Sequence, residues 1–266
     1  MIIDESLFAR LETSSAALSA RIAEVMTATR VPGVAAPVPW RGGMLVALGA
    51  GRYINRAVGF GAAEVSAEQL GVAEDYFRDA GVPSMIEVSS WASASLLTVL
   101  GDRRYRPSWT RNVYVRGLDP IVAEDVAGLE IRIVDDTLLL AWQKVLADGN
   151  GLTKDADRVI SDEFALARYQ APDSPILLAF VDGEVAGCGS IEMIDGVAWV
   201  GGAATDPLSR NRGVQKALLQ RRVEIAAEHG CDIVAASALP PGASARNLGR
   251  HGFDLAYTQT EFTRRR

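Results

Sequence analysis

The sequence contains few of the residues that build metal sites and disulfide frameworks. Its 266 residues include two cysteines, Cys188 and Cys231, and two histidines, His229 and His251. The cysteines are far apart and lack CxxC spacing, which argues against both a disulfide framework and a zinc site. Two histidines cannot form a metal cluster between them. We therefore predict a reducing compartment and no bound metal.

Excess positive charge and long apolar runs are also lacking. The formal net charge of −6 at pH 7 argues against a nucleic-acid partner or an anionic membrane surface. No apolar run reaches the roughly 20 residues of a membrane span, and the first residues lack the basic start and apolar segment of a signal peptide. Hydrophobic residues make up 48% of the chain, which is typical of a globular protein with a buried core. The expectation is a cytoplasmic protein.

The apolar patterns predict alternating helices and strands in two series. The apolar residues within 1–30 recur at helical spacing, which predicts a helix. Ser66 is the predicted N-cap of a second helix. In the second half, three strands are predicted around the turns Asp182-Gly183 and Asp195-Gly196, because Asp-Gly between apolar runs is a strong hairpin signal. A basic helix, a strand, a helix and a final strand follow, which is an α/β arrangement.

The two halves of the chain resemble each other. Residues 100–118, LGDRRYRPSWTRNVYVRGL, align without a gap with residues 248–266, LGRHGFDLAYTQTEFTRRR. The alignment sets Trp109 over Tyr257. It predicts two tandem domains, residues 1–124 and residues 125–266. Chance similarity of helix and strand patterns is the alternative.

A basic segment heads the predicted helix of the second half. Residues 209–222 read SRNRGVQKALLQRR and hold five cations, Arg210, Arg212, Lys216, Arg221 and Arg222. A helix N-terminus binds phosphate through its unpaired amides and dipole, and a glycine such as Gly213 lets the backbone approach the ligand closely. The segment therefore predicts an anion site flanked by Arg210 and Arg212, with a basic surface helix as the alternative. A Walker motif is absent from the sequence.

Two segments resemble the GCN5-related N-acetyltransferase (GNAT) family. Residues 210–236, RNRGVQKALLQRRVEIAAEHGCDIVAA, resemble its acetyl-CoA-binding motif, Gln/Arg-x-x-Gly-x-Gly/Ala. Arg210 and Gly213 match, whereas Gln215 replaces the second small residue. Residues 245–264, ARNLGRHGFDLAYTQTEFTR, resemble the closing segment with its Gly-Phe pair. The resemblance implies an α/β (α+β) GNAT fold: a mixed, mostly antiparallel twisted sheet flanked by helices. It further implies two tandem copies, of which the N-terminal one is degenerate.

The resemblance also implies acetyl-CoA as co-substrate and a set of residues that hold it. The pyrophosphate would lie on the amides of the helix start, and the pantetheine arm would pair with a strand edge in the manner of an added strand. The implied coenzyme-binding residues are Gly202, Ala203, Ala204, Thr205, Arg210, Arg212, Gly213, Val214, Gln215 and Asn247. Asn247 can equally be an ordinary surface residue. One coenzyme site per chain is expected, because the first half has AAEVSAEQLG, without arginine, at the equivalent place.

The catalytic residues are less well marked. The resemblance implies direct attack of a neutral amine on the thioester within a ternary complex, with a backbone N–H holding the oxyanion and a carboxylate accepting the proton. The family's frequent tyrosine acid is replaced here by Leu248. Glu192 is the candidate base and Tyr257 the candidate acid, with a strand-surface Glu and a packing Tyr as alternatives. Glu87 and Trp91 in the first half are candidates for acceptor contacts.

The resulting prediction is an N-acetyltransferase that acts on an amine acceptor. A small molecule is favoured as the acceptor, while a protein N-terminus or lysine stays open, as does a homodimer. The alternatives are a non-catalytic acyl-CoA-binding sensor and, ranked last, an interaction module that meets an acidic partner through the basic helix.

Overall fold

The structure is a computed structural model that describes residues 1–121 and 126–264. The chain forms two compact units. Unit 1 contains Met1–Val115 and the segment that begins at Ser237, and unit 2 is Arg116–Ala236. The predicted boundary between residues 124 and 125 lies outside the described residues.

The elements follow one another along the chain as an α/β series. In order they are α1 (Glu5–Ala28), β1 (Val38–Trp40), β2 (Gly43–Ala47), β3 (Asn55–Val58), α2 (Ala67–Asp79), β4 (Met85–Ser89), α3 (Ala94–Asp102), β5 (Arg106–Arg116), β6 (Leu129–Ile133), α4 (Leu139–Gly149), α5 (Asp155–Gln170), β7 (Ile176–Val181), β8 (Glu184–Ile194), β9 (Val197–Thr205), α6 (Val214–Glu228), β10 (Ile233–Ala238), α7 (Ala243–Arg250) and β11 (Asp254–Thr263). A 3-10 turn, Pro207–Ser209, precedes α6.

The strands of unit 1 lie in the order β1-β2-β3-β4-β11-β5. The last strand of the chain, β11, is antiparallel to both β4 and β5 and therefore lies between two strands of the first half. Ser66 caps α2 and forms a capping box with Gln69, as predicted for this N-cap. The core of the unit is apolar and includes Leu45, Phe77, Ile86, Leu96 and Leu100.

The strands of unit 2 lie in the order β10-β9-β8-β7-β6. The pair β10–β9 is parallel, and the remaining neighbours are antiparallel. Both predicted hairpin turns are confirmed, since Asp182-Gly183 and Asp195-Gly196 connect β7 to β8 and β8 to β9 with positive φ at all four residues. Fully buried Trp142 of α4 packs in the core against this sheet.

Two further findings concern membrane-spanning helices and metal sites. Within residues 1–121 and 126–264, no helix combines the length and apolarity that crossing a membrane requires. The same residues hold no group of three or more His, Cys, Asp or Glu side chains arranged for a metal ion.

Candidate functional site

The start of α6 is an exposed helix end. Gly213 stands at the N-cap in the left-handed conformation with φ of 79°, and Val214 behind it is buried. The first intrahelical bond runs from the Ala217 N–H to the Gly213 carbonyl. Gly213 has no side chain to cap the helix, so the amides of the first turn face the exposed segment that precedes it.

Two exposed arginines stand beside this helix end. The Arg210 guanidinium donates to the Gly149 carbonyl at 3.2 Å. The Arg212 guanidinium lies 3.5 Å from the Asp182 carboxylate in a pair that is largely exposed on both sides. Exposed pairs of this kind contribute at most about 1 kcal/mol. An incoming anion therefore competes with only a weak contact for the Arg212 side chain.

Arg221 and Arg222 have other contacts and do not line the predicted anion site. Arg221 pairs with Glu224 and Glu228 on the surface of α6. Arg222 is buried, because it lies one turn after Leu218 on the stripe that α6 turns toward the sheet. The positive charge at the helix start therefore comes from fewer side chains than the five cations of the segment.

A bulge in β9 forms the second part of the candidate site. Cys188 pairs with Ala204 while Ser190 pairs with Gly201, so β9 has one residue more than β8 over this interval. Gly202 adopts a left-handed φ of 49° there, and a Cβ on it would lie 2.8 Å from Ser190 Oγ. The bulge thus requires glycine at this position.

β9 pairs with β10 along only the part of its length that precedes the bulge. The parallel register with β10 runs from Val197 to Trp199, while β9 itself continues to Thr205. Ala203 in this stretch is exposed. The two strands therefore part in the region where the sequence predicted a pantetheine-binding edge.

Sequence reasoning missed the buried arginine that supports this bulge. Arg222 Nη1 donates to the Ser190 carbonyl at 3.3 Å and to the Gly201 carbonyl at 3.4 Å, and its Nε donates to the Leu218 carbonyl at 3.0 Å. Burial lowers the pKa of Arg222 to about 10, which still leaves the guanidinium charged at neutral pH. The signal in the sequence was the position of Arg222 on the apolar stripe of α6.

Glu192 lies in unit 2 with the predicted coenzyme-binding segments. It stands on β8 opposite Trp199, and its side chain is about nine-tenths buried. Its Oε1 accepts a hydrogen bond from Arg168 Nε at 2.5 Å. This ion pair holds the carboxylate in one orientation.

The structure places the other two side-chain candidates in unit 1. Tyr257 of β11 is 3% exposed and packs edge-on against Phe8, with ring centroids 5.0 Å apart. Burial and the neighbouring Glu12 carboxylate raise the pKa of Tyr257 well above its ordinary value. Asn247 is exposed on α7. The roles proposed for Tyr257, Asn247 and Glu192 stay predictions.

The acceptor candidates of the first half both take part in packing contacts. Glu87 is buried and forms ion pairs with Arg111 and Arg56. Trp91 stacks on Phe8 with ring centroids 4.9 Å apart. Through these contacts both residues have a structural role in unit 1.

Comparisons with known proteins bear on this arrangement. Residues 145–253 match the family model described as Acetyltransferase (GNAT) family. Among solved structures, a GCN5-related N-acetyltransferase from Kribbella flavida has 18% identity and a TM-score of 0.63, covering 92% of this chain and 95% of that chain. A tandem GNAT protein from the clavulanic acid biosynthesis pathway has 14% identity and a TM-score of 0.63, covering 99% and 96%.

A third solved structure agrees over a smaller part of the chain. A GCN5-related N-acetyltransferase from Sphaerobacter thermophilus has 20% identity and a TM-score of 0.58, covering 74% of this chain and 66% of that chain. None of the curated proteins matches. At these identities the likeness establishes the fold, and the predicted fold class is confirmed.

Proposed function

We propose that the chain transfers the acetyl group of acetyl-CoA to an amine acceptor, because residues 145–253 match the model of the acetyltransferase (GNAT) family and this family uses acyl-CoA. The observation that carries the proposal is the open start of α6, where Gly213 is left-handed and Arg210 and Arg212 are exposed. A phosphate placed there gains hydrogen bonds and charge stabilisation from the helix end.

The residues of unit 2 fit the chemistry of the coenzyme. The pyrophosphate would be held by the backbone amides of Arg212, Gly213, Val214 and Gln215. The amides of the pantetheine arm would pair with the edge of β9 from Gly202 to Thr205, where β9 has parted from β10. Asn247 lies in unit 1, and its contact to that arm stays a prediction from the sequence.

The same unit offers groups that suit amine acylation. When bound, the coenzyme supplies a thioester, which is an activated acyl group. The bulge at Gly202 turns backbone groups of β9 out of the regular ladder, and an N–H freed in this way suits a developing oxyanion. We propose Glu192 as the group that accepts the proton of the amine, acting through water. Tyr257, which lies in unit 1, stays a candidate proton donor from the sequence alone.

The proposal extends to the acceptor and to the organisation of the chain. A small-molecule amine is the acceptor that we favour, with acetyl-CoA bound once per chain. We propose that the two halves arose by duplication, as their aligned closing segments suggest, and that the first half has lost its anion site. A homodimer and a cytoplasmic location remain expectations from the sequence.

The test is calorimetric titration of the full chain with acetyl-CoA, followed by a thiol-release assay against a panel of amines. Micromolar binding with release for one class of amine would support the proposal and identify the acceptor chemistry. No binding of acetyl-CoA would overturn it.

A matched pair of glycine substitutions tests the site itself. Gly213→Asp would place a negative charge at the helix start, so we expect acetyl-CoA affinity to fall by at least about a hundredfold. Gly230→Asp is the control, since Gly230 follows the other end of α6 with a similar φ of 72° and open space around it. Equal affinity of the two variants would contradict the assignment.

A second candidate function rests on Leu248, which occupies the position of the family's frequent tyrosine acid. Leu248 is buried and cannot donate a proton. An acyl-CoA-binding sensor would bind acetyl-CoA as tightly as an enzyme does but would release no thiol with any amine. The thiol-release assay separates the two functions.

A further inference from the structure

Unit 1 contains a cavity that the proposed function does not use. It has a volume of about 400 Å³ and is lined by Trp109, Arg111, Ser237, Ala238 and Leu239. This volume falls within the range of small-molecule sites. Trp109 and Leu239 are 37% and 58% exposed, so two large apolar side chains meet solvent in one cavity. Clustered exposed apolar side chains are typical of binding sites.

Arg111 is held in place at the wall of the cavity. Its Nε donates to Gln259 Oε1 at 2.9 Å, and its Nη2 donates to the Glu87 carboxylate. The arginine also lies over the Trp109 ring, with 5.7 Å between Cζ and the ring centroid. These three contacts fix both the guanidinium and the indole before any ligand arrives.

The guanidinium keeps hydrogen-bonding capacity in this fixed position. Arginine carries five N–H donors, and in the described part of the chain the hydrogen bonds of Arg111 go through Nε and Nη2. The two N–H groups of Nη1 remain for a ligand. Ser237, which is exposed on the same cavity, adds a hydroxyl donor.

Arg111 belongs to a largely buried cluster of charged side chains. Arg56 lies 3.3 Å from Glu87 and 3.9 Å from Glu261, so two arginines and two glutamates share one buried cluster. A cationic ligand near Trp109 would meet Arg111 and Arg56, which both face that ring. A planar anion such as a carboxylate instead matches the fork of a guanidinium.

We propose that this cavity binds a small carboxylate with an apolar or aromatic body, the carboxylate on Arg111 and Ser237 and the body against Trp109 and Leu239. The inference concerns binding alone and does not depend on acetyl transfer.

The experiment is calorimetric titration of the full chain, without coenzyme, using 3-phenylpropionate and its neutral amide as probes. We expect the carboxylate to bind and the amide to bind at least about tenfold more weakly, because only the carboxylate pairs with the guanidinium. Absence of measurable binding of the carboxylate would overturn the proposal. Equal binding of the two probes would overturn the assignment of Arg111.

Two exposed leucines provide the matched variants. Leu239→Asp puts a like charge at the cavity and should weaken 3-phenylpropionate binding by at least about tenfold. Leu97→Asp is the control, since Leu97 is 48% exposed on α3 and does not line the cavity. Both variants should retain the native circular dichroism spectrum. Equal loss of affinity, or none, in the two variants would show that the probe binds elsewhere.

Trp109→Leu tests the apolar wall with a second readout. We expect 3-phenylpropionate to change the tryptophan fluorescence of the unsubstituted chain, and we expect Trp109→Leu to bind the probe more weakly and to lose this change. A fluorescence change that survives the substitution would contradict contact with Trp109.

Discussion

Arg221 and Arg222 are neighbours in the sequence, yet their guanidinium groups have opposite surroundings. Arg221 lies on the outer side of α6 and pairs with Glu224 and Glu228. Arg222 points toward the sheet and donates to backbone carbonyls on both sides of the bulge. Helical periodicity alone separates the two, because consecutive residues of a helix point in directions about 100° apart. Residue type alone does not distinguish the two arginines, whereas residue position determines which one supports the bulge.

We expect Arg222→Met to lower the free energy of unfolding by about 1–3 kcal/mol, since buried carbonyls lose charged donors. Arg221→Met is the matched control and should cost less than about 1 kcal/mol, as is usual for exposed pairs. Urea unfolding followed by circular dichroism measures both. Similar losses in the two variants would mean that Arg222 does not stabilise the bulge.

Among the helices and strands, short sequence signals correctly predicted the turns and the helix cap that depend on neighbouring residues. The Asp-Gly turns and the capping box at Ser66 each depend on a few consecutive residues, and both are present. The bulge in β9 was not predicted, because it arises from how β9 pairs with β8. The sequence offered one signal for it, the pair Gly201-Gly202 inside a strand.

These two adjacent glycines give a prediction about the bulge. Gly202→Ala should destabilise the chain by about 2–4 kcal/mol, because a left-handed alanine is strained and its Cβ would overlap Ser190 Oγ. Gly201→Ala should cost less than about 1 kcal/mol, since its Cβ would stand 3.7 Å from the same oxygen, an ordinary contact. If the bulge forms the coenzyme edge, only Gly202→Ala also weakens acetyl-CoA binding. Equal unfolding midpoints of the two variants would contradict this account of the bulge.

At the scale of the whole chain, pairing between distant segments escaped prediction. β11 was expected to complete the second half, but it pairs with β4 and β5 of the first half, for example Thr260 with Val88 and Thr110. Hydrophobic alternation indicates that a segment is a strand and carries no information about its partner. The GNAT resemblance predicted the fold class. The order of the strands depends on pairing between segments far apart in the sequence, so it was not predicted.

The arrangement around β11 also buries an ionisable group, and this makes stability depend on pH. Glu12 of α1 accepts hydrogen bonds from Gln259 of β11 at 2.9 Å and from the Gly61 N–H at 3.2 Å. Burial, with the nearby Glu87 carboxylate, raises the pKa of Glu12 from 4.5 to about 7. The folded chain therefore retains a proton on Glu12 at pH values where the unfolded chain has released it.

The expected consequence has a definite sign. The stabilising contribution of Glu12 is fully present below pH 4.5 and is lost as the pH rises through about 7. Glu12→Gln keeps a neutral side chain at every pH, so relative to the unsubstituted chain it should gain up to about 3 kcal/mol of stability between pH 4.5 and pH 8. Glu24→Gln, an exposed change on the same helix, should show no such gain. Urea unfolding of the three chains across this pH range measures the difference, and a pH-independent difference between the Glu12→Gln variant and the unsubstituted chain would mean that Glu12 is already charged in the folded state.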